Sequence, residues 1–291
     1  MSAAAGALMG RRGRRPPSLW VVPPLLVLGL LFFYPLALIL RESLTGGVHA
    51  ASLAGYAAVF DFALFRNALL HTIGIALGAS AGSLILGFVL ALILSFIPFP
   101  GSWIVSRLID TFIALPTFLV ALAFTFIYGS AGVLNESVMQ FLHLPLPPID
   151  FLYSAWGVIL AEVTVYTPFV LRPLLASFSL IETAQIEIAS SLGAGAWRII
   201  RSIIVPAAIP ALLAGGSLCL LLTVNEFGIV LFIGAKGVIT LPLLVYDKAV
   251  QEFDYPTACV IAMVNIVLSL GLYSLYRLVL SRFGGRGAGL V

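Results

Sequence analysis

Long apolar runs separated by short polar stretches set the architecture of this chain. Six of them come close to or exceed the roughly 20 residues a helix needs to cross about 30 Å of hydrocarbon. They fall near residues 19–40, 68–97, 104–128, 153–175, 207–233 and 257–280. No two-residue alternation marks barrel strands, and a backbone in lipid must satisfy its amides within its own segment, so each run predicts a helix. The second run is long enough to tilt or to project beyond the bilayer. The expected fold is an all-α polytopic membrane domain of six transmembrane helices over residues 19–282. A basic tail, 1–18, precedes it and a short tail, 283–291, follows.

Composition narrows the class. Hydrophobic residues make up 61% of the chain and charged residues 9%, against about 25% charged in soluble domains, which leaves no room for a large soluble module. Cys219 and Cys259 sit inside apolar runs and read as small core residues, not as a disulfide framework. Arg11, Arg12, Arg14 and Arg15 precede the first run. That run is too long for a cleavable signal core and no small-x-small cleavage site follows it, so it reads as an uncleaved first helix.

Charge placement orients the bundle. With the amino terminus inside, Arg107, Arg172, Arg198, Arg201, Arg277, Arg282 and Arg286 join the four tail arginines on the cytoplasmic side, while Arg41, Arg66, Lys236 and Lys248 lie outside. An even number of spans returns the carboxyl terminus to the cytoplasm. The expected topology is multi-pass, with both termini cytoplasmic.

Within the spans, Gly74, Gly78 and Gly82 recur every four residues and should let a neighbouring helix approach closely. Pro116, Pro168, Pro173 and Pro210 should bend their helices. Ionisable residues are rarer. Asp110 lies near the inner end of the third span, Glu162 in the fourth and Glu226 in the fifth, with Asn225 and Phe227 beside it. A charge at the bilayer centre costs about 2.5–3.5 kcal/mol on insertion scales, so these groups should face the bundle interior, a water-filled path or a partner subunit. Glu162, Asn225, Glu226 and Phe227 are therefore candidates for a pathway or gate, with an internal packing contact as the plainer reading. Between spans, 129–152 carries an amphipathic stretch and three prolines, and 235–256 a helical-looking run to Phe253. Asn135-Glu136-Ser137 matches a glycosylation triplet that nothing else in the chain supports.

The polar segment 177–206 lies between the fourth and fifth spans. Leu180, Ile181, Ala184 and Ile188 fall at helical spacing beside Glu182 and Glu187. Gly193 permits a turn that a Cβ would resist. Trp197, Ile200, Ile203 and Ile204 then give a second short apolar face, and Pro206 is expected to begin the next span. Two short helices joined by a tight bend make a knob that can transmit force as a rigid body. The same pattern also describes an amphipathic pair lying on lipid.

This segment resembles the EAA loop of permease subunits in bacterial binding-protein-dependent ABC importers. Glu187, Ala189, Gly193, Ile203, Val205 and Pro206 match the pattern, and Ile188 stands where a second alanine is usual. The resemblance covers roughly residues 67–277 and implies the MetI-like importer fold and a location in the bacterial inner membrane. It also implies that Glu187, Ala189, Gly193, Ala194 and Pro206 couple the chain to an ATPase, with Glu187 meeting a basic residue there. The implied partners are two cytoplasmic ATP-binding subunits, a second and different permease chain, and a periplasmic or lipoprotein solute-binding protein, all on a lipid membrane with no nucleic acid. The string from Thr223 through Tyr255 looks most like permeases for 2-aminoethylphosphonate. Sulfate or molybdate, thiamine, ferric iron and polyamines are the other solutes of similar permeases. This chain has no GxxxxGK[ST] phosphate loop, so ATP hydrolysis is expected in a partner, with no cofactor or metal here. An ion-coupled transporter with Glu162 and Glu226 as proton carriers is the rival class. An enzyme is disfavoured, because His49, His71 and His143 are poorly placed to serve Ser130 as a base.

Overall fold

Helices account for the regular structure throughout the computed structural model, which describes residues 20–46 and 52–284. Residues 1–18 of the expected basic tail and 285–291 of the carboxyl tail lie outside the described residues. Helix α1, Val22–Thr45, widens for one turn at Gly29–Phe33 and turns Leu26, Leu30 and Leu31 outward, as lipid contact requires. Next come α2, Ala54–Asp61, and α3, Ala63–Phe96. At 34 residues, α3 is about 50 Å long and outreaches the hydrocarbon, as expected of the second span.

The third span departs from expectation. The continuous helix expected over 104–128 is two helices, α4 (Ser102–Ala114) and α5 (Thr117–Tyr128). Pro116 forces its predecessor out of the helical region: Leu115 is extended, at φ −83° and ψ 133°. A turn at 129–132 leads to α6, Val133–Leu142. Asn135 is fully buried there, donating to the Gly129 and Ile149 carbonyls and accepting from the Ile149 N–H. Its role is to staple the loop, and its side chain is inaccessible to a sugar.

Helix α7, Ala155–Phe178, is the most enclosed span and forms the core with α3 and with α9, Ala196–Val224. Close approach of α3 to α7 is carried by Gly78, Gly82 and Gly87. An added Cβ would stand 3.0 Å from Ile159, 2.6 Å from Val163 and 3.0 Å from Val170, respectively. Gly74 meets no neighbour, so the expected glycine face begins one turn later and runs one turn further. Pro168, Pro173 and Pro210 stand inside helices that continue through them; of the prolines expected to bend a span, Pro116 alone separates two helices.

The hairpin helix α8, Thr183–Ser191, precedes α9. The fifth span also differs from the expected 207–233. It starts at Ala196, passes through a widened turn at Ile200–Ile204, and ends at Val224. After an irregular stretch at 225–227 comes a separate short helix, α10, Gly228–Ile233. Then come α11, Leu241–Tyr246, a widened turn at Asp247–Gln251, and α12, Tyr255–Gly284, against which α1 packs.

Candidate functional site

Two sites emerge at different depths, joined by α9. The first is the hairpin. Helix α8 closes with Gly193 in the left-handed region, at φ +82°, and the Ala194 N–H returns to the Ala189 carbonyl at 3.0 Å. That six-to-one bond is the signature of a glycine-terminated helix, and it explains why Ala189, Gly193 and Ala194 belong together. Gly195 then caps α9 in an extended conformation. The hairpin is anchored from one side: Ile181, Ile199 and Ile200 pack on the core, and Ser177 Oγ donates to the Ala207 carbonyl. Its other side is open. Leu180 and Leu192 are each 82% exposed, with Trp197 and Ile188 also exposed. Glu187 points outward on the same element, and among the described residues no ion pair engages it. Pro206 does not begin the span as expected. It comes after the widened turn within α9, so the second arm of the hairpin is the start of a membrane helix.

The second site lies where the breaks between α4 and α5 and between α9 and α10 face each other. Glu226, in the second break, accepts from Thr117 Oγ1 of α5 at 3.1 Å, from the Ile229 N–H of α10 at 2.8 Å, and from the Tyr166 hydroxyl of α7. Gly228 makes this possible: an added Cβ would stand 2.9 Å from Thr117 Oγ1. One carboxylate thus ties three helices together. Glu162, one turn before Tyr166 on the same face of α7, is wholly buried and neither of its oxygens finds a hydrogen-bond partner. Other buried polar side chains of the bundle are Cys219, Ser80, Ser83 and Thr223, the last 3.3 Å from Ser80.

The expected pathway residues therefore divide. Glu162 and Glu226 share one interior cluster. Asn225 turns away to α12, donating to Ser269 and accepting from Asn265, and the Phe227 ring packs at a tilt on Tyr246, centroids 5.1 Å apart. Reading the sequence missed Thr117, Tyr166, Ser80, Ser83 and Thr223. The spacing of Tyr166 four residues after Glu162 was the one local signal for any of them. Asp110 lies outside the cluster, in a bidentate pair with Arg172 that fastens α4 to α7.

Comparison with known proteins adds identity to geometry. The family described as "binding-protein-dependent transport system inner membrane component" matches residues 83–285. A protein of Salmonella typhimurium named as a 2-aminoethylphosphonate transport system permease, PhnU, is 61% identical over 270 residues, covering 93% of this chain and 94% of that protein. The sulfate transport system permease CysT of Escherichia coli is 32% identical over 209 residues, 70% of this chain and 73% of that one. Among solved structures, a bacterial ABC transporter involved in import of the acidic polysaccharide alginate superposes with a TM-score of 0.79 at 16% identity, over 91% of this chain and 95% of that one. The inward-facing methionine transporter MetNI gives a TM-score of 0.52 at 17% identity, over 75% and 93%. At these identities the two structures speak for the fold.

Proposed function

Because the chain belongs to the family of binding-protein-dependent transport system inner membrane components, we propose that it carries 2-aminoethylphosphonate across the membrane and receives its drive at Glu187. The chain is a multi-pass inner-membrane permease of an ABC importer, and ATP hydrolysis is the work of a separate subunit. The solute assignment rests on the 61% identity to a permease named for 2-aminoethylphosphonate, almost twice the identity to the sulfate permease.

The observation that carries the coupling role is the open side of the hairpin. Leu180, Ile188, Leu192 and Trp197 expose apolar surface around Glu187, which no ion pair engages among the described residues, on an element fixed from behind. Apolar surface of this kind with a charge in its midst marks a protein contact. The occupant is an ATPase subunit presenting a cation to Glu187. Two such subunits, a second and different permease and a solute-binding protein complete the assembly. The hairpin and both termini are cytoplasmic, and the α6 and α11 segments meet the binding protein outside. Glu162 and Glu226 border the solute path.

Replacing Glu187 by Lys tests the docking. In the reconstituted importer, Glu187→Lys is expected to abolish solute-stimulated ATP hydrolysis while the permease inserts and folds normally. Normal coupling in that variant would refute the role. Uptake that survives ATP depletion while an ion gradient is held would instead favour a secondary transporter.

A further inference from the structure

Helix α4 is two-faced in a span that hydropathy alone would leave apolar. Ser106, Arg107, Asp110 and Thr111 recur at i, i+1, i+4 and i+5 and share one face, and Ile104, Val105, Leu108, Ile109 and Phe112 share the other. Of the apolar face, Ile109 and Phe112 pack on the core, while Ile104 and Leu108 are exposed. The polar face divides in the same way. Asp110 takes the Arg172 guanidinium of α7 on both its oxygens, and Arg172 also donates to the Ser106 carbonyl and hydroxyl, each at 3.3 Å. Arg107 and Thr111 stay exposed. Arg107 lies over the Trp103 ring at 5.5 Å, and among the described residues no ion pair engages it.

The ion pair is not at the rim of the bundle. Arg172 stands six residues, about 9 Å, inside the end of α7 that leads into the hairpin. Yet its side chain and that of Asp110 are 40% and 39% exposed. Charges at membrane depth face a water-filled cavity or other protein, since hydrocarbon solvates them poorly. Acyl chains are thereby excluded from this side of α4, whereas the exposed Ile104 and Leu108 on the adjoining side suit them. Chain order relates this face to the acids of the bundle. Helix α4 runs through Leu115 and Pro116 into α5, whose first residue, Thr117, donates to Glu226. The two polar groupings thus lie in succession along one broken span. The one on α4 sets Arg107 and Arg172 against Asp110, a net positive surface that suits an anionic end group.

We propose that the polar face of α4, with Arg172 of α7, is the wall of the solute path between Glu226 and the hairpin end of the bundle. Arg107 and Thr111 are the groups that meet the water, and the Arg172–Asp110 pair holds that wall against α7. The inference rests on the path-forming role proposed above and extends the path from Glu226 to its inner mouth. It requires no particular solute.

Thiol accessibility in the complete importer tests this. Thr111→Cys, Ala114→Cys on the same face and Leu108→Cys on the apolar face are made singly, all at exposed positions. Proteoliposomes hold the ATPase subunits toward the bath, with the binding protein and solute enclosed. The probe is a charged, membrane-impermeant methanethiosulfonate added to the bath. Cys219 is buried and Cys259 partly so, and the unmodified chain gives their background. The reactive thiolate forms in water and not in hydrocarbon, so Thr111→Cys and Ala114→Cys should label about tenfold or more faster than Leu108→Cys. Trapping nucleotide on the ATPase with vanadate should slow both polar-face thiols severalfold. A path wall must close to the bath in one state of the cycle, and a helix lying on the membrane surface need not. Leu108→Cys labelling as fast as the polar-face thiols overturns the proposal. So does a polar-face rate that ignores trapped nucleotide, the mark of a surface helix, and so does silence in every state, the mark of a dry seam with the second permease. Ala114→Cys carries the test if Thr111→Cys fails to assemble. Failure of the solute assignment looks different: an importer that labels as expected but takes up no 2-aminoethylphosphonate loses its solute and keeps its wall.

Discussion

Gly193 offers the sharpest test of how the hairpin works, because its cost can be isolated. It stands at φ +82°, and a Cβ built there would meet nothing within 4 Å. Gly193→Ala therefore creates no clash, and its penalty is the backbone term alone, about 1–2 kcal/mol for a non-glycine residue in the left-handed region. The turn closes through the Gly193 N–H to Ser190 and the Ala194 N–H to Ala189. Relaxing φ would break the Ala194 bond and swing α8 relative to α9. Since α8 has an open side and no buried residues, the strain falls on the bent conformer rather than on the bundle. The permease alone should melt where the wild type does. Affinity for the ATPase subunit should fall by about 5–30-fold, the equilibrium equivalent of that energy. Asparagine tolerates the left-handed region better than alanine, so Gly193→Asn should recover part of the loss and the β-branched Gly193→Val should lose more. The assay is titration of the purified ATPase subunit onto permease in nanodiscs, with thermal unfolding of the same samples as the control. Equal affinity for glycine and alanine, or asparagine no better than alanine, would refute the argument that the bend must be preformed.

The loops at the other end give two further expected outcomes. Asn135→Ala removes three hydrogen bonds and orphans buried backbone groups at Gly129 and Ile149, so it should destabilise the permease by on the order of 2–4 kcal/mol. Thermal unfolding reads the loss, and limited proteolysis should place it within 129–152; a melting point like that of the wild type would show that the staple contributes nothing. Asp247 lies in the Asp247–Gln251 turn, outside the candidate membrane helices. Partial burial first, and Glu252 second, hold its carboxyl above the usual range against the pull of Lys248. A raised acid favours the protonated fold, so this side chain costs stability as pH climbs past the ordinary aspartate range and through its raised value. Asp247→Asn should accordingly be more stable than the wild type at neutral pH and lose that advantage in acid. Melting points across that range decide it, and an advantage that grows on acidification contradicts the sign.

Local pattern carried the fold a long way and stopped where pairing became distant. The hairpin was legible because its determinants are close in sequence: the Gly193 N–H bonds Ser190, the Ala194 N–H bonds Ala189, and Glu187 lies on the same short helix. The glycine face of α3 was legible in kind but not in extent, since helix crossing limits contact to Gly78, Gly82 and Gly87 and leaves Gly74 free. Hydropathy stays high through the break at Leu115, so an apolar run hid two helices, although Pro116 marked the place. Pro206 misled in the other direction: a proline suited to a first turn suggested a helix start, and the widened turn at Ile200–Ile204 carries the helix past it instead. The interior cluster was only half visible. Glu162 and Glu226 announced themselves as acids in apolar runs, but Thr117 reaches Glu226 across 109 residues and Tyr166 across 60. Those pairings belong to the tertiary structure and no local period encodes them.

The continuity of α9 changes how force must travel. The helix spans 29 residues, or about 44 Å, from the hairpin turn to the break at Asn225. Midway it lies against α7 backbone to backbone: a Cβ on Gly215 would stand 2.9 Å from both the Phe169 carbonyl oxygen and the Val170 Cα. A push on the hairpin therefore cannot separate α9 from α7 without forfeiting that contact along the core, and the two helices move as one body with α3. The segments set off from that body lie beyond the breaks. Helix α5 hangs from the extended Leu115 and Pro116, α10 hangs from the irregular 225–227, and these two helices pack on each other. Besides apolar packing on α7, their polar link to that body is Glu226, which bonds Thr117 and Ile229 on one side and Tyr166 on the other. On the proposed function, the polar joint that a stroke of the ATPase must release or remake is this carboxylate, at the far end of the helix that the hairpin begins.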